Sequence, residues 1–278
     1  MTNFATSGFL SEDEHPLTAQ YAAKHNEIFE KLRSINNEVG TSYSNLKLQS
    51  QSAPMIYSSL SFLRILQNYQ TCIILCEKGL EVQCEMILRS ALESTFNLAA
   101  VATDPQFFSK IIRSYDTENH KAAKSYLRYK TNIKEDDESS GLARRVINRL
   151  TGKTYKVNAR DAAVTAGLEN IYDVLYTYTS GSIHGSLKSL ERNYLINDIN
   201  EKQLIIEYGP RYENAIRILF TLTELIDIAW CALCRTAEHN ITAEYKALLN
   251  ATFDVFENEY GDQLSMTAVR HGEGHDHS

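Results

Sequence analysis

Along most of the chain apolar residues recur at steps of three and four, the spacing that lines one face of an α-helix. Four prolines, Pro16, Pro54, Pro105 and Pro210, each stand near the start of such a segment, where a missing N–H is tolerated. They divide the chain into predicted helices. The first runs from Leu17 to about Gln51, with Gly40 as its weak point. The second spans Pro54 to Lys78, with Ile56, Leu60, Leu63, Leu66 or Gln67, and Ile74 as its apolar stripe. The third spans Gly79 to Ala102 and ends at Thr103-Asp104-Pro105, where Asp104 is placed to cap a fourth helix reaching about Lys130.

Asn132 to Gly141, rich in charge and serine, reads as an exposed loop. Short helices follow at Leu142 to Leu150 and Ala159 to Ala166, then a longer one from Glu169 to Leu190 that Gly181 and Gly185 weaken. Between residues 193 and 208 the period changes. Tyr194-Leu195-Ile196 and Leu204-Ile205-Ile206 flank a polar turn and predict a small β-hairpin. From Pro210 to about Glu238, Ile216, Leu219, Thr223, Ile226, Trp230 and Leu233 form a seam for another helix of the bundle or of a second subunit. A last helix covers about Ala243 to Tyr260. The fold class is therefore all-α, a helical bundle with one hairpin insertion. It is organised as an N-terminal helical arm (1–53), a bundle domain (54–262) and a His-rich tail (263–278) expected to be disordered.

Composition narrows the classes. The chain has 278 residues, enough for a substantial core. Its most apolar stretches, Pro54 to Cys76 and Ala215 to Cys234, are interrupted by Arg64 and by Arg217, Glu224 and Asp227, so neither predicts a membrane span. Met1 to His15 carries Glu12, Asp13 and Glu14 in place of a basic and apolar leader, and the expectation is a cytoplasmic protein. Five cysteines, all within helical patterns, predict reduced and buried thiols. Cys231-Ala-Leu-Cys234 lacks the strand that precedes a redox motif, and no second pair follows with ligand spacing. No metal and no cofactor is expected, and neither a Gly-rich phosphate loop nor a nucleophile elbow is present.

A net charge of −7 argues against general affinity for nucleic acid. Locally the balance reverses. Between Lys110 and Arg160 thirteen Lys or Arg stand against six Asp or Glu, and Arg144, Arg145, Arg149, Lys153, Lys156 and Arg160 follow one another with no acid between them. That stretch is either a solvated face or a dock for phosphate or an acidic partner.

Two helices carry candidate chemistry. Glu85, Arg89 and Glu93 follow at four-residue intervals, and Ser180 and His184 repeat that spacing near Tyr172, Tyr176 and Tyr178. Arg89 and Glu93 are either an exposed ion-pair ladder or a buried pair on a central helix, and the flanking apolar helices favour the second. Facing one another, Arg89 would hold a phosphate as a planar fork and His184 would carry a proton near neutral pH. Ser180 and Tyr178 would supply hydroxyls to the substrate. An ordinary buried polar network is the alternative.

Arg89-Ser90-x-x-Glu93, the Asp104-Pro105 break, the basic middle and the late Ser180-x-x-x-His184 together resemble a bacterial all-helical family of unknown function over roughly residues 55 to 240. More loosely the chain resembles the HEPN superfamily, many of whose members are dimeric, metal-independent RNases of toxin and antiphage systems. Their signature is Arg, four to six residues, then His on one helix. Here Arg113 and His120 have six residues between them and fall on one helical face. Arg89 itself has no His at that spacing.

The resemblance implies a homodimeric, nucleic-acid-directed effector of defence or toxin type acting on RNA. His184 or His120 would move the proton, Arg89 or Arg113 would stabilise the phosphorane, and Arg144, Arg145 and Arg149 would hold the strand. A non-catalytic antitoxin or scaffold module that binds a partner protein, and a small-ligand sensor built around Arg89, are the alternatives.

Overall fold

A computed structural model describes residues 7–11, 15–46, 52–149, 155–176, 179, 187–198, 203–206 and 208–264. Where the sequence predicts one first helix there are two, α1 (Pro16–Lys24) and α2 (Asn26–Ser44). His25 separates them. Its backbone leaves the helical region (φ −109°, ψ 21°), its ring is buried against Tyr21, and its Nδ1 lies 2.7 Å from the Tyr260 hydroxyl. A buried ring with a committed hydrogen bond fixes the bend there, whereas Gly40 lies inside α2 without breaking it.

α3 (Ala53–Glu77) starts at Ser52, whose hydroxyl accepts from the Met55 N–H. Its predicted stripe is largely the outer face: Ile56, Leu60 and Ile74 are exposed, Leu60 by 63%. The helix is apolar nearly all round, so periodicity alone does not choose its inner side. The large rings do, and Phe62, Ile65, Tyr69, Cys72, Ile73 and Cys76 face the core.

α3 turns into α4 (Glu81–Thr103) through Gly79, whose φ of +71° is left-handed. α4 is the central helix. It packs against α3, against α7 (Ala159–Ala166) and against α9 (Ala215–Thr236), burying Cys84, Leu88, Leu92, Phe96 and Leu98. Its first residue also anchors α9: the buried Glu81 carboxylate accepts from the Asn214 N–H and the Asn214 side-chain amide, each at 2.7 Å. Burial pushes the Glu81 carboxyl above its ordinary pKa, and the two Asn214 bonds draw it back.

Every residue of the predicted α9 seam is buried. The chain's own α3, α4 and α10 (Ala243–Leu264) cover that helix, which answers the choice between bundle and second subunit in favour of the bundle. Ile28, Phe29, Leu32, Ile35 and Val39 of α2 join the same core as Trp230 and Phe256.

α5 (Phe107–Asn132) and α6 (Glu138–Arg149) form a helical hairpin. Asp104 accepts from the Gln106 N–H at 3.0 Å in the turn that precedes α5. α6 begins inside the stretch the sequence assigns to a loop, because Asp137 accepts from both the N–H and the hydroxyl of Ser140 and so caps it. After α7, which ends at the left-handed Gly167, a helical turn Glu169–Ile171 widens into a π turn over Tyr172–Tyr176. α8 (Leu187–Tyr194) leads into β1 (Leu195–Asp198), which runs antiparallel to β2 (Gln203–Ile206) with Leu195 opposite Ile206. No helix among the described residues is long and apolar enough to cross a membrane.

Candidate functional site

Arg89 lies midway along α4, its side chain 13% exposed. Its Nε donates to Glu93 Oε1 at 3.1 Å, one turn on, and its Nη1 donates to the Tyr176 carbonyl at 2.6 Å. The Tyr176 ring covers the guanidinium, and the Tyr176 hydroxyl donates to the same Glu93 oxygen at 3.0 Å. Three residues separated by up to 87 positions thus close one polar triangle. Its other wall is aromatic: Tyr172 stacks on Tyr176 with ring centres 4.5 Å apart, and Phe96 borders both. The π turn places this pair, since its wider winding puts Tyr172 and Tyr176 over α4 with the Tyr176 carbonyl turned to Arg89.

Burial, then the Glu93 hydrogen bond and charge, pushes the Tyr176 phenol up to about 12, so it remains a donor throughout the neutral range. The pair is asymmetric. Glu93 is 48% exposed where Arg89 is covered, so it is a half-open carboxylate held by a buried cation, and the fully buried pair expected from sequence is corrected to that extent.

Beyond Glu93 a cavity of about 370 Å³ opens, lined by Glu93, Asn97, Lys156, Val157, Asn158 and Tyr176, within the size range of small-molecule sites. Asn97 continues the four-residue ladder of Glu85, Arg89 and Glu93. Its Oδ1 is buried and has no hydrogen-bond partner among the described residues. Lys156 reaches the cavity because its neighbours are strapped to α5: the Tyr155 N–H donates to the Thr117 hydroxyl at 2.9 Å and the Val157 N–H to the Ser114 hydroxyl at 3.1 Å. Asn158 then caps α7 by accepting from the Arg160 N–H.

Arg113 and His120 lie on the one continuous helix α5, roughly 10 Å apart along its axis. Arg113 is exposed and rests over the Tyr155 ring at 5.0 Å, while His120 is half-buried. Arg113 thereby borders the 155–157 segment, and neither residue takes part in the Arg89 triangle. Arg144, Arg145 and Arg149 are all exposed on α6. Arg144 pairs with Asp136 at 2.9 Å and holds that carboxyl below its usual pKa, whereas Arg145 and Arg149 form no ion pair among the described residues. Lys130 binds both Glu135 and Asp137, and this pairing, with the Ser140 N–H, lowers Asp137 to about 2. Glu135, Asp136 and Asp137 at the hairpin tip are thereby held by Lys130 and Arg144, and Arg145 and Arg149 stand outside those pairs.

Ser180, His184 and Tyr178 lie outside the described residues, as do Lys153 and the histidines of the tail. Among the described residues no group of His, Cys, Asp and Glu is arranged to hold a metal. Sequence reading passes over Asn97 and the central part of Tyr176, and it places Lys156 in the basic stretch without joining it to α4. The signal for Asn97 is plain in retrospect, the next rung of the ladder, but nothing in the sequence announces that the 155–158 segment returns to α4.

Residues 55–203 match the model of a family of unknown function, DUF5677, and the chain belongs to that family. No curated protein and no solved structure matches it.

Proposed function

We propose that this chain is an RNA-directed effector of the bacterial defence or toxin type, with a HEPN-like bundle, that holds a single strand along its cation-rich stretch and admits one nucleotide to the cavity beside Glu93. The observation that carries this reading is that the two candidate features meet: Lys156, from the acid-free basic stretch, lines the same cavity as Glu93 and Tyr176. Arg145, Arg149 and Arg160 supply exposed cations on the elements either side of it.

In this reading Arg89 is a positioning residue, since its guanidinium is taken up by Glu93 and Tyr176. Cleavage uses imidazole. His120 or His184 takes the proton from the attacking 2′-hydroxyl, the 2′ oxygen bonds to phosphorus as the P–O5′ bond breaks, and the 5′ oxygen receives the proton, with Arg113 beside the charged phosphorane. A homodimer would use a surface other than the α9 seam, which the chain's own helices occupy. Incubating labelled single-stranded RNA with the protein, with and without EDTA, tests the proposal. Cleavage that survives EDTA and is lost in His120→Ala or His184→Ala supports it, and RNA that is neither bound nor cut at low salt rejects it.

A second reading, a sensor of a small ligand, is favoured by the cavity alone. Its volume suits a single nucleotide without any requirement for a strand.

A further inference from the structure

The lining of the cavity beside Glu93 combines several donors with one carboxylate. Lys156 lines it as an exposed ammonium with no ion pair among the described residues. Asn158 lines it too, and because its side-chain oxygen caps α7, the group it has left is its amide, a donor. Asn97 Oδ1 is buried, so Asn97 likewise offers its Nδ2 donor. The one acid of the lining is Glu93, whose Oε1 already accepts from Arg89 and from the Tyr176 hydroxyl. Arg89 neutralises the Glu93 charge without using up its acceptor capacity, since a carboxylate has about four lone-pair sites. The cavity has no open aromatic face among the described residues: Tyr176 is the ring that lines it, and Arg89 and Tyr172 cover the two sides of that ring.

We infer that the cavity takes a ribose phosphate and not a base, with Lys156 and the two amides on the phosphate and Glu93 accepting from the neighbouring 2′-hydroxyl. A phosphate is acceptor-only and takes several donors at once, which Lys156, Asn97 and Asn158 supply. An unpaired carboxylate would repel it, but Arg89 cancels the Glu93 charge. The ligand must also carry a donor for Glu93. An ammonium would meet Lys156 and gain little from a carboxylate that Arg89 already neutralises, so the donor is a hydroxyl. In a ribose 3′-phosphate the 2′-hydroxyl sits on the carbon next to the phosphate ester. Glu93 and Asn97 leave α4 one turn apart, about 5 to 6 Å at their Cβ atoms, a spacing suited to two such neighbouring groups. A base finds no face to stack on, so recognition is of the backbone and independent of sequence. Deoxyribose leaves Glu93 without its donor, which makes the 2′-hydroxyl the feature that separates RNA from DNA. The hydroxyl is bound here and gives up no proton. The inference rests on the proposed nucleotide reading and assigns the part of the nucleotide that the cavity holds.

Equilibrium binding of the full chain to a uracil-free single-stranded RNA and its DNA counterpart, and to adenosine 3′-monophosphate and its 2′-deoxy counterpart, tests it. The ribo form of each pair is expected to bind at least about tenfold more tightly than the deoxy form, the factor that a hydrogen bond to a charged group confers. Glu93→Gln puts in place of the carboxylate a neutral amide whose single oxygen is already called on by Arg89 and Tyr176, and is expected to remove that difference. Lys156→Ala, at an exposed position, is expected to weaken all four ligands by a similar factor and keep the difference, because it acts on the phosphate. A difference confined to the mononucleotides, with no strand bound, supports the ribose phosphate site and rejects the RNA reading. One confined to the strands supports the site within RNA. Equal affinity for ribo and deoxy forms, or a difference that Glu93→Gln leaves in place, overturns the inference, and RNA binding in that case leaves the RNA reading standing. Unchanged affinities in Lys156→Ala also overturn it. If none of the four is bound at low salt, the inference and the RNA reading fall together.

Discussion

Arg89 Nη1 lies 2.6 Å from the carbonyl oxygen of Tyr176, 87 residues away, and the ring of the same tyrosine covers the guanidinium. This contact fastens the π turn to the central helix. It also fixes Glu93, which lines the cavity, because Arg89 and the Tyr176 hydroxyl both donate to one of its carboxylate oxygens.

Removing Arg89 is expected to loosen both. Arg89→Ala deletes the hydrogen bonds of a covered cation to Glu93 and to the Tyr176 carbonyl, and is predicted to destabilise the fold by roughly 1.5 to 3 kcal/mol. Lysine restores the charge without the fork and is expected to recover less than half of the loss. Urea denaturation of the two variants checks this, and an Arg89→Ala midpoint equal to that of the parent protein would show that the triangle does not contribute to stability.

The junction between α3, α4 and α9 depends on one glycine. A Cβ on Gly79 would lie 2.5 Å from the Pro210 Cβ and 2.8 Å from its Cα, and the backbone there has a φ of +71°. Gly79→Ala combines a left-handed alanine with a contact against backbone, so a loss of about 2 kcal/mol or more is expected. Gly167→Ala, also left-handed but with nothing within 4 Å of the added carbon, is the control and is expected to cost about 1 kcal/mol. Equal melting temperatures for the two variants would contradict the steric part.

Glu224 on α9 supplies a pH test. Burial, reinforced by the charge of Asp227, raises its carboxyl to about 7. The folded protein therefore holds this proton more tightly than the unfolded chain does. The contribution of Glu224 is most favourable below about pH 4.5 and declines as the pH rises through about 7. Glu224→Gln, which removes the titration, is expected to be stabilising by on the order of 2 to 3 kcal/mol at pH 8 and close to neutral at pH 5. A difference between variant and parent that does not change between these two pH values would refute the assignment.

How much of this was legible in the sequence depends on how far apart the interacting residues lie. Helix type and approximate extent followed from periodicity and proline placement, and the α9 seam was read residue by residue, because a helix covered on several sides carries an unbroken apolar pattern. The bend at His25 was not legible: its cause is a hydrogen bond to Tyr260, 235 residues on. The wrong stripe on α3 has a similar origin, since a helix apolar all round turns inward the side that the rest of the bundle selects. At the site, the Arg89–Glu93 spacing was visible as an i, i+4 pair. The covering of Arg89 by Tyr176 and the return of Lys156 to α4 arise from tertiary contacts that local pattern does not encode.

The most direct measurement of the central claim is the salt dependence of single-stranded RNA binding, followed by fluorescence anisotropy for the parent protein and for a variant with Arg145, Arg149 and Lys156 all replaced by alanine. If these side chains hold the strand, the parent protein binds at low salt, its affinity falls linearly on a log–log plot of salt, and the variant is weaker with a slope shallower by roughly 2, as three lost phosphate contacts require. The same slope in both proteins, or no binding by the parent at low salt, would contradict the account.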